Sequence, residues 1–189
     1  VSYQFPLFQA AIEGISDHNA FEGRNSSVGE RSMLGVVQQV AKDIGDVEVG
    51  RLATFDHMFA GIRASLKAAA QRSIDVAERN LDNPLAIRLL KALFLVKYVD
   101  SFQATARNLT VLVYDRFGLD LPALSKQVKE ALTLLETQTY IQRNGTLYEY
   151  LTNEEQVIEE EIKNVDIDAS EVSSRLFKIL SGDVIKTNK

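Results

Sequence analysis

Cysteine is absent from this 189-residue chain, which excludes a disulfide framework and thiolate chemistry and fits a reducing cytoplasm as the expected location. No run of apolar residues approaches the length of a bilayer span and no signal peptide opens the chain, so no membrane partner is expected. The two histidines, His18 and His57, lie far apart without ligand spacing, and HExxH, CxxC and GxSxG motifs are missing. No metal ligand and no catalytic residue is therefore assigned. None of the ten glycines is followed by lysine, so there is no Gly-Lys-Ser/Thr phosphate cradle and no ATP hydrolysis by this chain alone is expected. The first residue is valine, and the sequence reads as a piece of a longer protein.

What is present is helical periodicity, in a chain whose 46% apolar content suffices for a core. Residues 5–15 place Leu7 or Phe8, Ala11, Ile12 and Ile15 on one face. Ser27-Val28-Gly29-Glu30 matches a capping box that opens a helix expected to bury Leu34, Val37, Ala41 and Ile44. Residues 55–81 read as one long helix with Phe59, Ile62, Leu66, Ala69 and Ile74 inward. Asn83-Pro84 is a strong start signal, with Asn as cap and Pro pre-set in the first turn, and Asp82–Pro84 is the best domain boundary. It opens a helix carrying Leu85, Leu89, Leu93 and Val96. A second short helix follows from Thr105, and a third opens at Pro122 with Leu124, Val128, Ala131, Leu132 and Leu135 buried.

The third helix leads into TYIQRNGTLYEYL, residues 139–151, in which Asn144-Gly145 predicts a type I′ turn between two short strands. That register sets Ile141 opposite Tyr148 and Thr139 opposite Tyr150. Three helices and a hairpin are the order of a winged helix, spanning 83–152. Thr152 or Asn153 caps an acidic helix to 164, and Asp168-Ala169-Ser170-Glu171 is a capping box for a last helix to 180.

Charge is unevenly spread. Residues 83–152 hold eight Lys/Arg against six Asp/Glu, whereas 153–189 hold five against nine. A mildly basic winged helix permits weak, backbone-type contact with DNA without demanding it. The candidate contacts are Ser125, Lys126, Gln127 and Lys129 near the start of the third helix, with Arg143 and Asn144 at the wing tip. Against this, two lysines on a polar helix face are ordinary solvated residues, and Glu130 and Glu136 oppose phosphate. Protein docking is the rival reading, with the acidic helix at 154–161 meeting a basic surface.

The stretches FPLFQAAIEGISDHNAFEGRNSSVGERSMLGVVQQVAK, FDHMFAGIRASLK, KALFLVKYVDSFQATARNL and KQVKEALTLLETQTYIQRNGTLYEYLTNEEQVIEEEIKN resemble, in collinear order, the large P-loop ATPase of bacteriophage exclusion (BREX) systems, the BrxC/PglY family. The resemblance implies a segment that follows the ATPase core of a bacterial anti-phage defence protein. ATP and Mg would belong to the full-length parent, and the partners would be other BREX components or ATPase subunits. Gly29-Glu30-Arg31-Ser32-Met33-Leu34 looks like the sensor-2 element of AAA+ ATPases, which implies a nucleotide-sensing role for Arg31. Here the arginine follows the acid directly, a departure from that pattern, and the alternative is a surface ion pair between Arg31 and a neighbouring carboxylate. The expectation is a mainly α fold with one β-hairpin: an AAA+ lid-like segment over 1–82, a winged helix over 83–152 and a helical extension over 153–189. Its expected role is non-catalytic coupling of nucleotide state to DNA or to a partner.

Overall fold

The computed structural model describes residues 3–22, 28–164 and 169–180, with side chains from 33 and 173 onward in the helices that begin at 28 and 169. Among these residues the protein is mainly helical, with a single two-stranded antiparallel hairpin. Val1–Gln156 forms one compact unit and Val157–Lys189 a second, so the Asp82–Pro84 boundary falls inside the first unit. No described helix is long and apolar enough to cross a membrane.

In the first unit α1 (Gln4–Asp17) buries Ala11, Ile12 and Ile15 as expected and, of the two alternatives, Phe8, while Leu7 is half-buried. The next helix, α2 (Val28–Asp43), does not follow expectation. Val36 and Val40 are buried, whereas Leu34 is 74% exposed, Val37 and Ala41 are exposed, and Ile44 is half-buried. Two apolar stripes lie on this helix, and the surface it meets chooses between them. Gly61 lies so close under Val36 that a Cβ there would come within 2.7 Å of the valine side chain. The missing side chain is the notch that accepts Val36.

Residues 55–81 are likewise not one helix. They divide into α3 (His57–Ile62), a 3-10 turn Arg63–Ser65, and α4 (Ala68–Asn80). Leu66 is extended and bridges to Phe21, while Glu22 N–H donates to Ser65 O (2.9 Å) and Lys67 N–H to Ala20 O (2.9 Å). The loop after α1 thus takes the backbone bonds that a continuous helix would have used internally. Phe59, Ile62, Leu66 and Ile74 are buried all the same, but Ala69 is exposed.

The central post is α5 (Pro84–Val96), capped as expected by Asn83, whose side chain accepts from Ala86 N–H at 3.0 Å. Most of its apolar side chains are buried, including Leu89, Leu90, Leu93 and Leu95. Thr105 caps α6 (Ala106–Leu112) and Asp120 caps α7 (Leu121–Thr137). Val128, Ala131, Leu132 and Leu135 of α7 are buried and Leu124 is half-buried. The end of α7 is a Schellman turn: Thr139 N–H donates to Glu136 O and Tyr140 N–H to Leu135 O. Thr139 takes φ of 60° there, an uncommon conformation for a β-branched residue.

The hairpin joins β1 (Ile141–Asn144) to β2 (Leu147–Tyr150), with Ile141 opposite Tyr150 and Asn144 opposite Leu147. Its two loop residues are therefore Gly145-Thr146, not Asn144-Gly145, and only Gly145 has positive φ (61°). A positive φ at the first loop position alone belongs to the II′ rather than the I′ pattern. The register differs from expectation by an even step, so the faces are unchanged. Ile141 and Tyr150 point into the core and Gln142 and Glu149 lie on the other face. After β2, α8 (Asn153–Asn164) opens with a reciprocal cap, Thr152 N–H to Glu155 Oε2 (2.7 Å) and Glu155 N–H to Thr152 Oγ1 (3.3 Å). The second unit holds the remainder of α8 and α9 (Ala169–Ile179); Asp168, the expected cap of α9, lies outside the described residues.

Candidate functional site

The exposed polar face of α7 holds Lys126, Gln127 and Lys129, all exposed, with Ser125 half-buried beside them. These positions follow from the buried Val128–Leu135 stripe, which turns the intervening residues outward. Lys126 is 81% exposed and its ammonium lies 4.0 Å from Glu130 one turn on, a loose solvated pair. At the wing, Arg143 and Asn144 are exposed, but the Arg143 guanidinium curls back: Nε donates to Gly145 O (2.8 Å) and the group stands 5.7 Å over the Tyr148 ring. No hydrogen bond or ion pair joins the α7 group to the wing group among the described residues.

An isolated bridge lies beside the two-stranded hairpin. Thr105 bridges Leu147, and Tyr148 N–H donates to Ala104 O at 3.0 Å, so the short segment between α5 and α6 lies against the edge of β2. This pairing leaves no sequence signature, because two extended residues before a capping threonine look like any loop.

Three cations stand alone on the otherwise apolar α5 and its cap: Arg88 and Lys91 fasten the first helical segment to it, and Lys97 fastens β2 and the start of α8. Arg88 reaches Asp56 (Nε to Oδ2, 3.3 Å), the Thr54 hydroxyl (3.1 Å) and Val113 O (2.9 Å). Asp115, 3.8 Å from Arg88, also pairs with Arg51 at 2.7 Å. The Thr54 hydroxyl stands 2.7 Å from His57 Nδ1, so His57 is built into this cluster. Lys91 pairs with Glu78 of α4 at 2.7 Å, and Arg63 joins Glu78 and Asp75. Burial opposes the charge on Glu78, but bonds from Arg63 and Lys91 outweigh it and hold its pKa below the usual carboxylate range. Lys97 is gripped by Glu149, Glu155 and Tyr150 O. Sequence reasoning passed over Asp56, Arg88 and Lys97. A signal existed, since a cation on a helix this apolar has to find a partner.

Asp56 Oδ1 is buried and without a hydrogen-bond partner, and Thr54 beside it is fully buried, whereas Arg88, Asp115 and Arg51 of the same cluster are partly exposed. An open depression lined by Arg63, Gln71, Asp75, Glu78 and Arg79 has its acids and bases largely paired with one another. No group of three His, Cys, Asp or Glu among the described residues is placed to hold a metal ion. Arg31 lies in the first turn of α2, and its side chain is outside the described residues.

No protein-family model and no solved structure matches the chain.

Proposed function

We propose that this chain is a non-catalytic regulatory segment of a P-loop ATPase of the BREX type, in which a winged helix over 83–152 contacts DNA weakly through its phosphates. The observation that carries the reading is the pairing of residues 104–105 with β2. It supplies the small strand between the first and second helices and so supports the full winged-helix order: α5, strand, α6, α7, β1, β2. In that order α7 is the helix that meets the groove, and Lys126, Gln127 and Lys129 are on its exposed face. Two exposed lysines and a wing arginine suit phosphate contact, and the chain's net charge of −5 suits only a local and salt-sensitive one.

The lid-like segment before Asn83 would transmit nucleotide state. The Asp56–Arg88 and Glu78–Lys91 pairs join that segment to α5, the first helix of the winged-helix order. ATP and Mg are proposed for the parent. The residues present do not form a phosphate cradle, so this chain supplies no chemical step at the nucleotide, and Arg31 is its one proposed contact there.

Fluorescence anisotropy of labelled duplex DNA at low and moderate salt tests the reading. Binding is expected to weaken with salt, and Lys126→Glu/Lys129→Glu is expected to weaken it further and to flatten the log–log salt slope by about 0.9 for each phosphate left without its lysine. Affinity unchanged by the double reversal removes α7 from the interface. Docking on a neighbouring BREX component or ATPase subunit is the second reading. Exposed Val111, Phe117 and Leu121 around the α6–α7 turn, and the inward-curled Arg143, favour it.

A further inference from the structure

A cavity of about 200 Å³ opens between the end of α5, the segment that follows it and the edge of β2. Drug-sized ligands take roughly 300–1,000 Å³, so this space suits one side chain or a short aliphatic molecule. Its lining divides by depth. Leu93, Val96 and Val99 are buried, which makes the floor apolar, and the half-buried Phe102 and Ala104 form a wall. Asp100, Leu147 and Glu149 are exposed and belong to the rim. A guest that matches both levels has an apolar stem and a polar head, as a long amphipathic side chain does.

Charge decides the head. Around the cavity the carboxylates of Asp100, Glu149 and Glu155 stand against one cation, Lys97. That cation is the buried member, with a side chain 5% exposed and its donor sites spent on Glu149, Glu155 and Tyr150 O. The rim is therefore negative. Glu149 is already engaged by Lys97 and Gln142, whereas the Asp100 carboxylate makes no ion pair or hydrogen bond among the described residues. Asp100 is thus the group left to take a new cation. Arg143, the cation of the hairpin, stands over Tyr148, and the register puts both on the opposite face from Leu147 and Glu149.

We infer that this cavity binds an alkylammonium group, with the aliphatic stem on the floor of Leu93, Val96 and Val99 and the ammonium at Asp100. A free aliphatic amine and a lysine side chain presented by a partner protein share this chemistry. The site has no residue in common with the α7 and wing contacts proposed for DNA, so the two readings fail separately.

Amide chemical shifts of the full chain, titrated with n-butylammonium and with methylammonium at equal ionic strength, test it. The two ions carry the same charge and differ only in the stem. Butylammonium is expected to bind with a dissociation constant on the order of millimolar and to shift the amides of Ala104 and Leu147. It is expected to bind at least about tenfold more tightly than methylammonium, since each buried methylene contributes about fourfold. Asp100→Asn, at an exposed site, is expected to weaken binding about two- to fivefold. Ala104→Leu fills the cavity from its wall while keeping the carbonyl that accepts from Tyr148 N–H, and is expected to abolish binding. Nα-acetyl-lysine methylamide separates the sources: affinity equal to that of butylammonium assigns the site to a partner's lysine, and much weaker binding assigns it to a free amine. Absence of saturable shifts, or equal affinity for butylammonium and methylammonium, overturns the proposal. Butylammonium binding that Asp100→Asn and Ala104→Leu both leave unchanged overturns it as well.

Discussion

Replacing Lys97 by Met probes the junction of α5, β2 and α8 with little loss of packing, because methionine retains much of the unbranched apolar stem. The lysine side chain is 5% exposed, and its three donor sites meet three partners: Glu155 Oε2 at 2.9 Å, Glu149 Oε1 at 3.2 Å and Tyr150 O at 2.8 Å. Breaking a fully buried ion pair costs about 3–5 kcal/mol, because the remaining charge is stranded. Here Glu149 and Glu155 are 48% and 42% exposed, so both can rehydrate and the cost is smaller. What does not recover is the charge-assisted bond to the Tyr150 carbonyl and a screened attraction to two acids, about 2 kcal/mol in all. For a chain of this size that lowers Tm by about 4–8 °C.

The pH dependence gives an independent check. Burial opposes the charge on Glu155, but the Thr152 backbone N–H and the Lys97 ammonium outweigh it and hold its pKa below the usual carboxylate range. A depressed carboxylate contributes stability that is present above its unfolded pKa and lost as pH falls through its folded pKa. Urea unfolding followed by far-UV circular dichroism is expected to show the full gap between wild type and Lys97→Met at neutral pH. The gap is expected to narrow at pH below the ordinary carboxylate range. Lys126→Met, at an 81% exposed site, is expected to change stability by no more than about 0.5 kcal/mol. A neutral-pH loss for Lys97→Met no larger than that control, or a gap that does not narrow in acid, refutes the reasoning.

Three other substitutions separate local from tertiary causes. Gly61→Ala is expected to destabilise by about 1–3 kcal/mol in urea titrations, since the added Cβ would lie 2.7 Å from the Val36 side chain. Gly35→Ala, where an added Cβ meets nothing within 4 Å, is expected to raise Tm through helix propensity worth up to about 1 kcal/mol. Asn83→Ala removes the cap bond to Ala86 N–H and is expected to cost about 1 kcal/mol, read as a drop in Tm of about 2–4 °C.

Much of the local structure was legible because its causes lie within a few residues. Asn83-Pro84, Thr105 and Thr152 cap helices through their own side chains, and a hairpin was marked by Gly145 between alternating residues. Of the candidate site, the outward placement of Lys126, Gln127 and Lys129 followed from the period of the buried residues beside them. The turn was less legible. Asn144-Gly145 favours a type I′ loop by residue type, but β2 is also held by residues 104–105, and the register that results places Asn144 in the strand.

By itself the sequence determined a helical chain with one hairpin, the starts of its helices, the inward faces of α1, α5 and α7, and the want of a phosphate loop. Each of these depends on composition or on neighbours along the chain. The tertiary structure alone decided that Val36 and Val40 rather than Leu34 and Val37 turn inward on α2. It also decided that the backbone breaks at Leu66, and that Arg88, Lys91 and Lys97 find acids 32, 13 and 58 residues away. In each case the local choices are close in energy, and the balance is set by a distant surface: a notch at Gly61, a backbone bond to the Ala20 carbonyl, a carboxylate on another element. Sequence period records which residues can be buried; only the packed partner fixes which of them are.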